Sequence, residues 1–247
     1  MELRKLIIPE SFNEILKVYR DYKQLIFSLW CNMHYHELKI AKQSMINHIN
    51  SIVKSNDPQK SIKVCIGIRI LGKIQPIRLE ELLQNLSNLL PCENQAYSEF
   101  ISYIIAKFCK RHFLKEFTFI SYQLARCNEW LHQSYPSSAV TCSLQLLHWF
   151  AQFASSAILN SSQQFFDAIS VGQFHESNEV RIRAYYIAST LFERSKKGPL
   201  ILSSFHQSLA SIKSHEISKI HGSLLVLSNY AKYYPHVISD QASSLMK

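Results

Sequence analysis

Five stretches of this 247-residue chain are variants of one amphipathic helix, and they recur about every 40 residues. Each is apolar over a broad face and carries a small or slim residue near its middle. The mid-helix residues of the five stretches are Cys65, Ile101, Cys142, Ala184 and Gly222, which lie 36, 41, 42 and 38 residues apart. A helix that returns at a nearly fixed period of this size predicts stacked helical repeats.

The period and the composition together predict the fold class. HEAT and armadillo units are about 40 to 47 residues long. The chain is 47% apolar and contains only five glycines, so it can bury a core but has few turn-forming residues. The predicted links between helices are short, so paired helices should lie antiparallel. We therefore predict an all-α chain, an α-solenoid of stacked antiparallel helix pairs, which is typical of scaffolds.

Helix-start signals and prolines give the predicted boundaries. We predict helices over about 11–31, 37–54, 58–75, 77–90, 92–111, 114–133, 136–154, 161–174, 177–194, 199–213 and 215–234. Ser11 and Glu14 have the spacing of a capping box. We expect an unassigned N-terminal helix within 1–36, a HEAT-repeat solenoid of about five helix pairs over 37–234, and the start of a truncated repeat over 235–247. An end repeat without a partner exposes apolar surface, so we also expect self-association.

Gly222 lies inside a sequence that otherwise favours a helix. Glycine in a helix costs about 1 kcal/mol relative to alanine, so a compensating contact is expected. We predict that the paired helix, 199–213, approaches Gly222 closely. A larger side chain at this position should then overpack the contact.

Cysteine usage and hydropathy indicate the compartment. The six cysteines form no CxxC pair and mostly lie in apolar helical runs, where a thiol packs as a small hydrophobe. This usage is typical of a reducing environment. The first residues lack the apolar centre of a signal peptide, and no apolar run approaches the length of about 18 residues that spans a membrane. We therefore expect a cytoplasmic chain with no membrane span.

The chain is basic, with 27 Lys and Arg, 18 Asp and Glu and a formal charge of +9. The densest basic cluster lies at the junction of two predicted helices, and further arginines lie on a later helix. The candidate partner-binding residues are Lys107, Lys110, Arg111, Lys115, Arg181, Arg183 and Arg194. We expect them to be exposed and to meet an acidic partner surface. Nucleic acid stays open as an alternative partner, although no nucleic-acid recognition motif accompanies the charge.

Two local patterns look like ligand sites, but each lacks an essential residue. Gly67–Lys73 match GxxxxGK, yet Ile74 replaces the Ser or Thr that binds Mg²⁺, and the spacer is apolar and helical. Cys31, His34 and His36 offer three zinc ligands where a closed site needs four. No GxSxG, HExxH or kinase signature occurs in the sequence. We expect no catalytic residue, no metal and no cofactor in this chain.

Three segments are similar, in sequence and in order, to helices of one repeat family. They are Lys219-Ile-His-Gly-Ser-Leu-Leu-Val-Leu-Ser-Asn229, Glu179-Val-Arg-Ile-Arg-Ala-Tyr-Tyr-Ile-Ala-Ser-Thr-Leu191 and Asn85-Leu-Ser-Asn-Leu-Leu-Pro91. The first resembles the RIHG-small-LLxLNEL helix in the N-terminal HEAT region of the target of rapamycin kinase family. The second resembles the IREGA-type helix of that family, and the third its NYLRNLLP segment. Order and approximate spacing agree over roughly residues 37–234.

The resemblance implies a role in assembly. In that family the region begins a long α-solenoid, contacts the substrate-recruiting adaptor subunit and helps to form the dimer. The kinase domain lies far C-terminal to it, so these 247 residues would not catalyse phosphorylation. The resemblance therefore implies a non-catalytic protein-interaction scaffold. The alternative is a basic HEAT-like module that binds nucleic acid or another acidic partner.

Overall fold

The computed structural model describes residues 11–31, 37, 40, 44, 83–84, 86–110, 117–132, 134–154, 163–194 and 199–239. Within these residues all regular secondary structure is helical and no strand occurs. The predicted all-α class is therefore confirmed. The helix predicted over 58–75, with Cys65 and the GxxxxGK-like segment, lies outside the described residues, as do His34, His36 and most of 37–54 and 77–90.

The helix ends follow the predicted ones closely. The helices are α1 (Phe12–Cys31), α2 (Gln95–Cys109), α3 (Phe117–Trp130), α4 (Ser137–Phe153), α5 (Gln163–Gln173), α6 (Asn178–Arg194), α7 (Pro199–Ser211) and α8 (Ile217–Tyr233). Residues 235–239 are helical as well. The start of α2 differs by three residues because a capping residue was counted into the predicted helix. At α2, Asn94 Oδ1 accepts the Tyr97 N–H at 3.1 Å, so Asn94 caps the helix and Gln95 begins it.

Backbone contacts divide the chain into two units, Met1–Phe108 and Cys109–Lys247. In the first unit, α1 packs against α2 through the edges of aromatic rings. The ring centres of Tyr19 and Phe100 are 5.7 Å apart, and those of Phe12 and Tyr103 are 6.1 Å apart. Edge-to-face pairs of this kind contribute about 0.5 to 1.5 kcal/mol each beyond their buried area.

The predicted capping box occurs at the start of α1. The Ser11 hydroxyl oxygen accepts the Glu14 N–H at 3.3 Å, as predicted. The second arm differs, because the Ser11 hydroxyl donates to the Glu14 carboxylate at 2.8 Å. In the usual arrangement that carboxylate accepts the backbone N–H of the capping residue.

In the second unit the helices form pairs of sequence neighbours. α3 packs with α4, α5 with α6, and α7 with α8. Neighbouring pairs also contact each other through corresponding helices. The first helices of the pairs pack together, α3 with α5 and α5 with α7, and so do the second helices, α4 with α6 and α6 with α8. Helix α6 therefore has a packing neighbour from the preceding pair and one from the following pair. The predicted domain limits at 36 and 234 stay predictions.

Aromatic residues fill the core between α6, α7 and α8. Phe192, Phe205, Val226 and Tyr230 form a buried cluster. The Tyr230 ring centre lies 5.1 Å from that of Phe192 and 4.9 Å from that of Phe205. The Tyr230 hydroxyl also forms a 2.9 Å hydrogen bond with the Ser204 hydroxyl, so this buried polar atom is satisfied.

Hydrogen bonds between neighbouring pairs join residues about one repeat apart in the sequence. Asn229 Nδ2 donates to the Tyr185 carbonyl at 3.3 Å, across 44 residues. The Tyr234 hydroxyl donates to the Phe192 carbonyl at 3.3 Å, across 42 residues. The structure thus contains contacts at the period that the sequence pattern indicated.

Small residues let backbones approach closely at two places in α5. A Cβ atom on Gly222 of α8 would lie 2.2 Å from the Gln173 carbonyl oxygen. A Cβ atom on Gly172 would lie 3.0 Å from the Cβ of Ala184 in α6. The predicted close approach at Gly222 is therefore present, but the predicted neighbour was wrong. The end of α5, from the preceding pair, contacts Gly222 in place of the paired helix α7.

Replacing Gly222 with alanine should destabilise the protein, although alanine is the better helix former. The new methyl group would clash with a backbone oxygen, and overpacking of this kind costs about 1 to 3 kcal/mol. Ser228 is exposed on the same helix, and Ser228→Ala should leave stability unchanged or raise it by about 0.5 kcal/mol. Urea unfolding of both variants measures the difference. Equal stabilities for Gly222→Ala and the wild type would contradict the tight contact.

Candidate interaction site

The predicted basic cluster at the end of α2 is only partly described. Lys107 is half-buried, donates a hydrogen bond to the Tyr103 hydroxyl, and its ammonium lies 4.6 Å from the centre of the Tyr103 ring. Lys110 is exposed, and its ammonium lies 5.7 Å from the centre of the Phe153 ring. Arg111 and Lys115 lie outside the described residues. Cation–π contacts at such distances hold a lysine near the surface without removing its charge from water.

Of the three predicted arginines, only Arg183 is exposed, with 45% of its side-chain surface accessible. It forms an ion pair with Glu179 at 2.9 Å, one turn earlier on α6. Arg181 is only 6% exposed, so the expectation that it lies on the surface was wrong. Arg194 is half-buried. The contacts of the Arg181 and Arg194 guanidinium groups explain the difference.

Arg181 joins the α5–α6 turn to α8. Its Nη1 donates to the carbonyls of His175 and Glu176, at 2.7 and 2.6 Å. Its Nε donates to Nδ1 of His221 at 3.0 Å, across 40 residues. A guanidinium can leave water only when its donors find acceptors, and here the turn carbonyls and an imidazole supply them.

Arg194 makes a similar connection at the other end of α6. Its guanidinium donates to the carbonyls of Ala151 and Ala154, the latter at 2.6 Å, where α4 ends. The last carbonyls of a helix have no partner within the helix and carry its negative dipole end. Arg194 satisfies them from a residue about one repeat later. Both arginines therefore stabilise the packing of successive pairs.

The two neighbouring arginines Arg181 and Arg183 should respond differently to replacement. Arg181→Met removes the donors from two carbonyls and His221, so we expect the free energy of unfolding to fall by about 3 kcal/mol. Arg183→Met removes only an exposed i,i+4 ion pair, and we expect a change of at most about 0.5 kcal/mol. Urea unfolding with both variants tests this. A small effect of Arg181→Met would contradict its role in joining the pairs.

Exposed apolar side chains repeat on successive even-numbered helices. Ala184 and Gly222 are the equivalent mid-helix positions of α6 and α8 and lie 38 residues apart. The same offset relates Tyr186 to Leu224. Tyr186 is 63% exposed and Leu224 is 51% exposed. Large apolar side chains at equivalent exposed positions of neighbouring helices indicate a surface suited to contact with another macromolecule.

An open cleft of about 510 Å³ lies among α3, α5 and α7. Its apolar lining comes from Leu131, Val171 and Phe174. Its polar lining includes the hydroxyls of Ser134 and Ser170. The side chains of His132, His175 and Gln207 complete the described lining, which contains no acidic residue. The sequence analysis did not find this cleft, because its residues come from three helix pairs and form no local motif.

His175 lies in the cleft wall beside Arg181. Its Nδ1 accepts the Ser177 N–H at 3.0 Å, so the neutral ring carries its proton on Nε2. Nε2 is buried and has no hydrogen-bond partner among the described residues. Burial lowers the pKa of His175, the nearby Glu176 carboxylate opposes this shift, and the Arg181 guanidinium adds to it. The folded structure therefore favours the neutral imidazole.

Stability should decrease in mild acid. Because the folded-state pKa of His175 is lowered, its contribution is present above the ordinary histidine pKa of about 6.5 and is lost as the pH falls below that value. His175→Asn keeps an acceptor for the Ser177 N–H and removes the titrating group. The unfolding free energy of this variant should therefore fall less steeply as the pH decreases. Part of the pH dependence should remain, because burial also lowers the pKa of His148. A wild-type unfolding free energy that is constant from about pH 7 to 5 would contradict this expectation.

Chemical groups for catalysis are sparse in the described part of the chain. No three His, Cys, Asp or Glu side chains in it are placed to hold a metal ion. The thiols of Cys92, Cys109, Cys127 and Cys142 are buried, and burial raises the pKa of Cys127. A buried thiol with a raised pKa is a poor nucleophile. None of the described helices is long and apolar enough to cross a membrane.

Comparison with known protein families, characterised proteins and solved structures gives no match. The resemblance to the target of rapamycin kinase family therefore depends on the three sequence segments alone.

Proposed function

We propose that this chain is a non-catalytic α-solenoid of the HEAT type that presents its surface to protein partners. The observation that carries the proposal is the arrangement of α3 to α8 in pairs that contact through like helices. Hydrogen bonds that span 40 to 44 residues support it, because they connect equivalent parts of successive pairs. Repeat arrays of this kind offer extended surfaces for binding.

The three sequence segments support a more specific role. In this proposal the chain is the start of a target of rapamycin-type kinase, acts in the cytoplasm and contacts the adaptor subunit of the kinase complex. The exposed Lys110, Arg183, Tyr186 and Leu224 are the described residues that we propose for protein contact. Aromatic residues and arginine are enriched at protein interfaces, which fits Tyr186 and Arg183.

Nucleic-acid binding is the second candidate, and the formal charge of +9 favours it. Fewer positive charges are available for contact with nucleic acid than the sequence indicated. Arg181 is buried, and the guanidinium of Arg194 bonds to the end of α4. Because these two arginines form hydrogen bonds within the fold, fewer basic side chains face solvent. A protein partner therefore agrees better with the described surface.

Cross-linking and affinity purification of the tagged chain from its native cells tests the proposal. We expect the adaptor subunit of a target of rapamycin-type complex to co-purify, both before and after nuclease treatment. The Arg183→Glu, Tyr186→Ser double variant should recover less of it, whereas Gln152→Glu, an exposed change on α4, should not. Complete loss of partners after nuclease treatment would favour the nucleic-acid alternative, since such binding depends on phosphate contacts. Recovery of no adaptor would contradict the specific role.

A further inference from the structure

Helices α6 and α8 are joined by a hydrogen bond between an arginine and a histidine, two side chains that can both carry positive charge. Nε of Arg181 donates to Nδ1 of His221 at 3.0 Å, and Arg181 is only 6% exposed. Its other acceptors are also uncharged, since they are the carbonyl oxygens of His175 and Glu176 and the side-chain amide oxygen of Asn178. Dipoles therefore satisfy this buried guanidinium, and no carboxylate of the described residues is bonded to it.

His221 can accept this hydrogen bond only while its imidazole is neutral. A neutral imidazole has one acceptor nitrogen and one donor nitrogen, whereas a protonated imidazole donates from both. Protonation of Nδ1 would break the bond to Arg181 and would place a second positive charge beside a guanidinium that does not lose its proton. The bonded contact and the protonated histidine therefore exclude each other.

A second histidine lies on the other side of Arg181. Nδ1 of His175 accepts the Ser177 N–H at 3.0 Å. Burial lowers the pKa of His175, the Glu176 carboxylate opposes this shift, and the Arg181 guanidinium adds to it. His132, which lines the cleft together with His175, is a further titratable group on this side. The same guanidinium thus has a second neutral imidazole beside it.

The other charged side chains of α6 and α8 near this contact are paired within their own helices. Arg183 bonds to Glu179 at 2.9 Å on α6. On α8, Lys219 bonds to Glu216 at 2.7 Å, just before His221. These two carboxylates are therefore partly neutralised by their own cations and offset a new positive charge on His221 only weakly.

The backbone next to His221 leaves little room for adjustment. A Cβ atom on Gly222 would lie 2.2 Å from the Gln173 carbonyl oxygen, so α8 already touches the end of α5 at this point. Repulsion between two cations could not be relieved by a shift of α8 towards α5. The movement that remains is for α8 to separate from the α5–α6 turn.

We propose that the contact between Arg181 and His221 is an acid-sensitive joint, which holds α8 to the preceding pair near neutral pH and releases it in mild acid. Tyr186 lies on α6 and Leu224 on α8, so release would also change the spacing of these two exposed side chains. That consequence for partner contact rests on the proposed scaffold function, whereas the joint itself does not.

Amide hydrogen exchange of the full chain at about pH 7.5 and about pH 5.5, one unit to each side of the ordinary histidine pKa, tests the inference. Rates are corrected for the pH dependence of intrinsic exchange. His221→Asn offers Oδ1 as an acceptor in place of Nδ1 and cannot be protonated. His215→Asn is the matched control, because it makes the same replacement at an exposed histidine just before α8. Circular dichroism at neutral pH checks that both variants fold.

We expect the corrected exchange of Ile217–Tyr233 in the wild type to rise several-fold in acid, up to about tenfold, since a single histidine one unit below its ordinary pKa supplies about that factor. His215→Asn should show the same rise. His221→Asn should show a clearly smaller one, and the part that remains belongs to His175.

Two results would overturn the inference. Corrected exchange of α8 in the wild type that is equal at the two pH values would mean that acid does not open the joint. An equal rise in His221→Asn and His215→Asn would mean that His221 does not carry the response. Co-purification of the adaptor subunit at neutral pH would still support the scaffold function in either case, so the two proposals fail separately.

Discussion

The burial of the Arg181 guanidinium is the interaction on which the second unit most depends. A turn between two antiparallel helices leaves carbonyl oxygens that no helix satisfies. Arg181 donates to the carbonyls of His175 and Glu176 in that turn and to His221 of α8. One side chain therefore fixes the turn within a pair and joins this pair to the next. Removing such a group takes the donor from several partly buried acceptors, which is more unfavourable than the loss of an exposed ion pair.

Small residues and arginines act together at α5 and α6. Gly222 and Gly172 allow backbones and side chains to approach at distances that a further methyl group would prevent. At the opposite end of α6, Arg194 satisfies the last carbonyls of α4. Steric fit sets how near the helices lie, and the guanidinium groups set which ends meet. This combination explains contacts that recur about every 40 residues.

The helices could be predicted from the sequence because their signals are local. Ser11 with Glu14 and Pro199 lie at or just before predicted helix starts, and the structure begins helices there. Whether an individual charged side chain is buried or exposed could not be predicted in this way. Arg181 and Arg183 are two residues apart and look equivalent in the sequence, yet one is buried and the other exposed. The difference depends on turn carbonyls and on a histidine 40 residues later.

The same limit applies to the cleft and to Gly222. A mid-helix glycine indicates close packing, but its neighbour, the Gln173 carbonyl, belongs to the preceding pair. Leu131, His175 and Gln207 share a cleft only after three pairs have come together. No spacing rule links such residues, because the contact is set by how the helix pairs pack and not by the helix period.

Amide hydrogen exchange in the wild type and in Arg181→Met most directly tests whether successive pairs stabilise one another through α6. If they do, the variant should exchange faster at the α5–α6 turn and also in Ile217–Tyr233, the helix that holds His221. Faster exchange confined to Asn178–Arg194 itself, with α8 unchanged, would contradict the account.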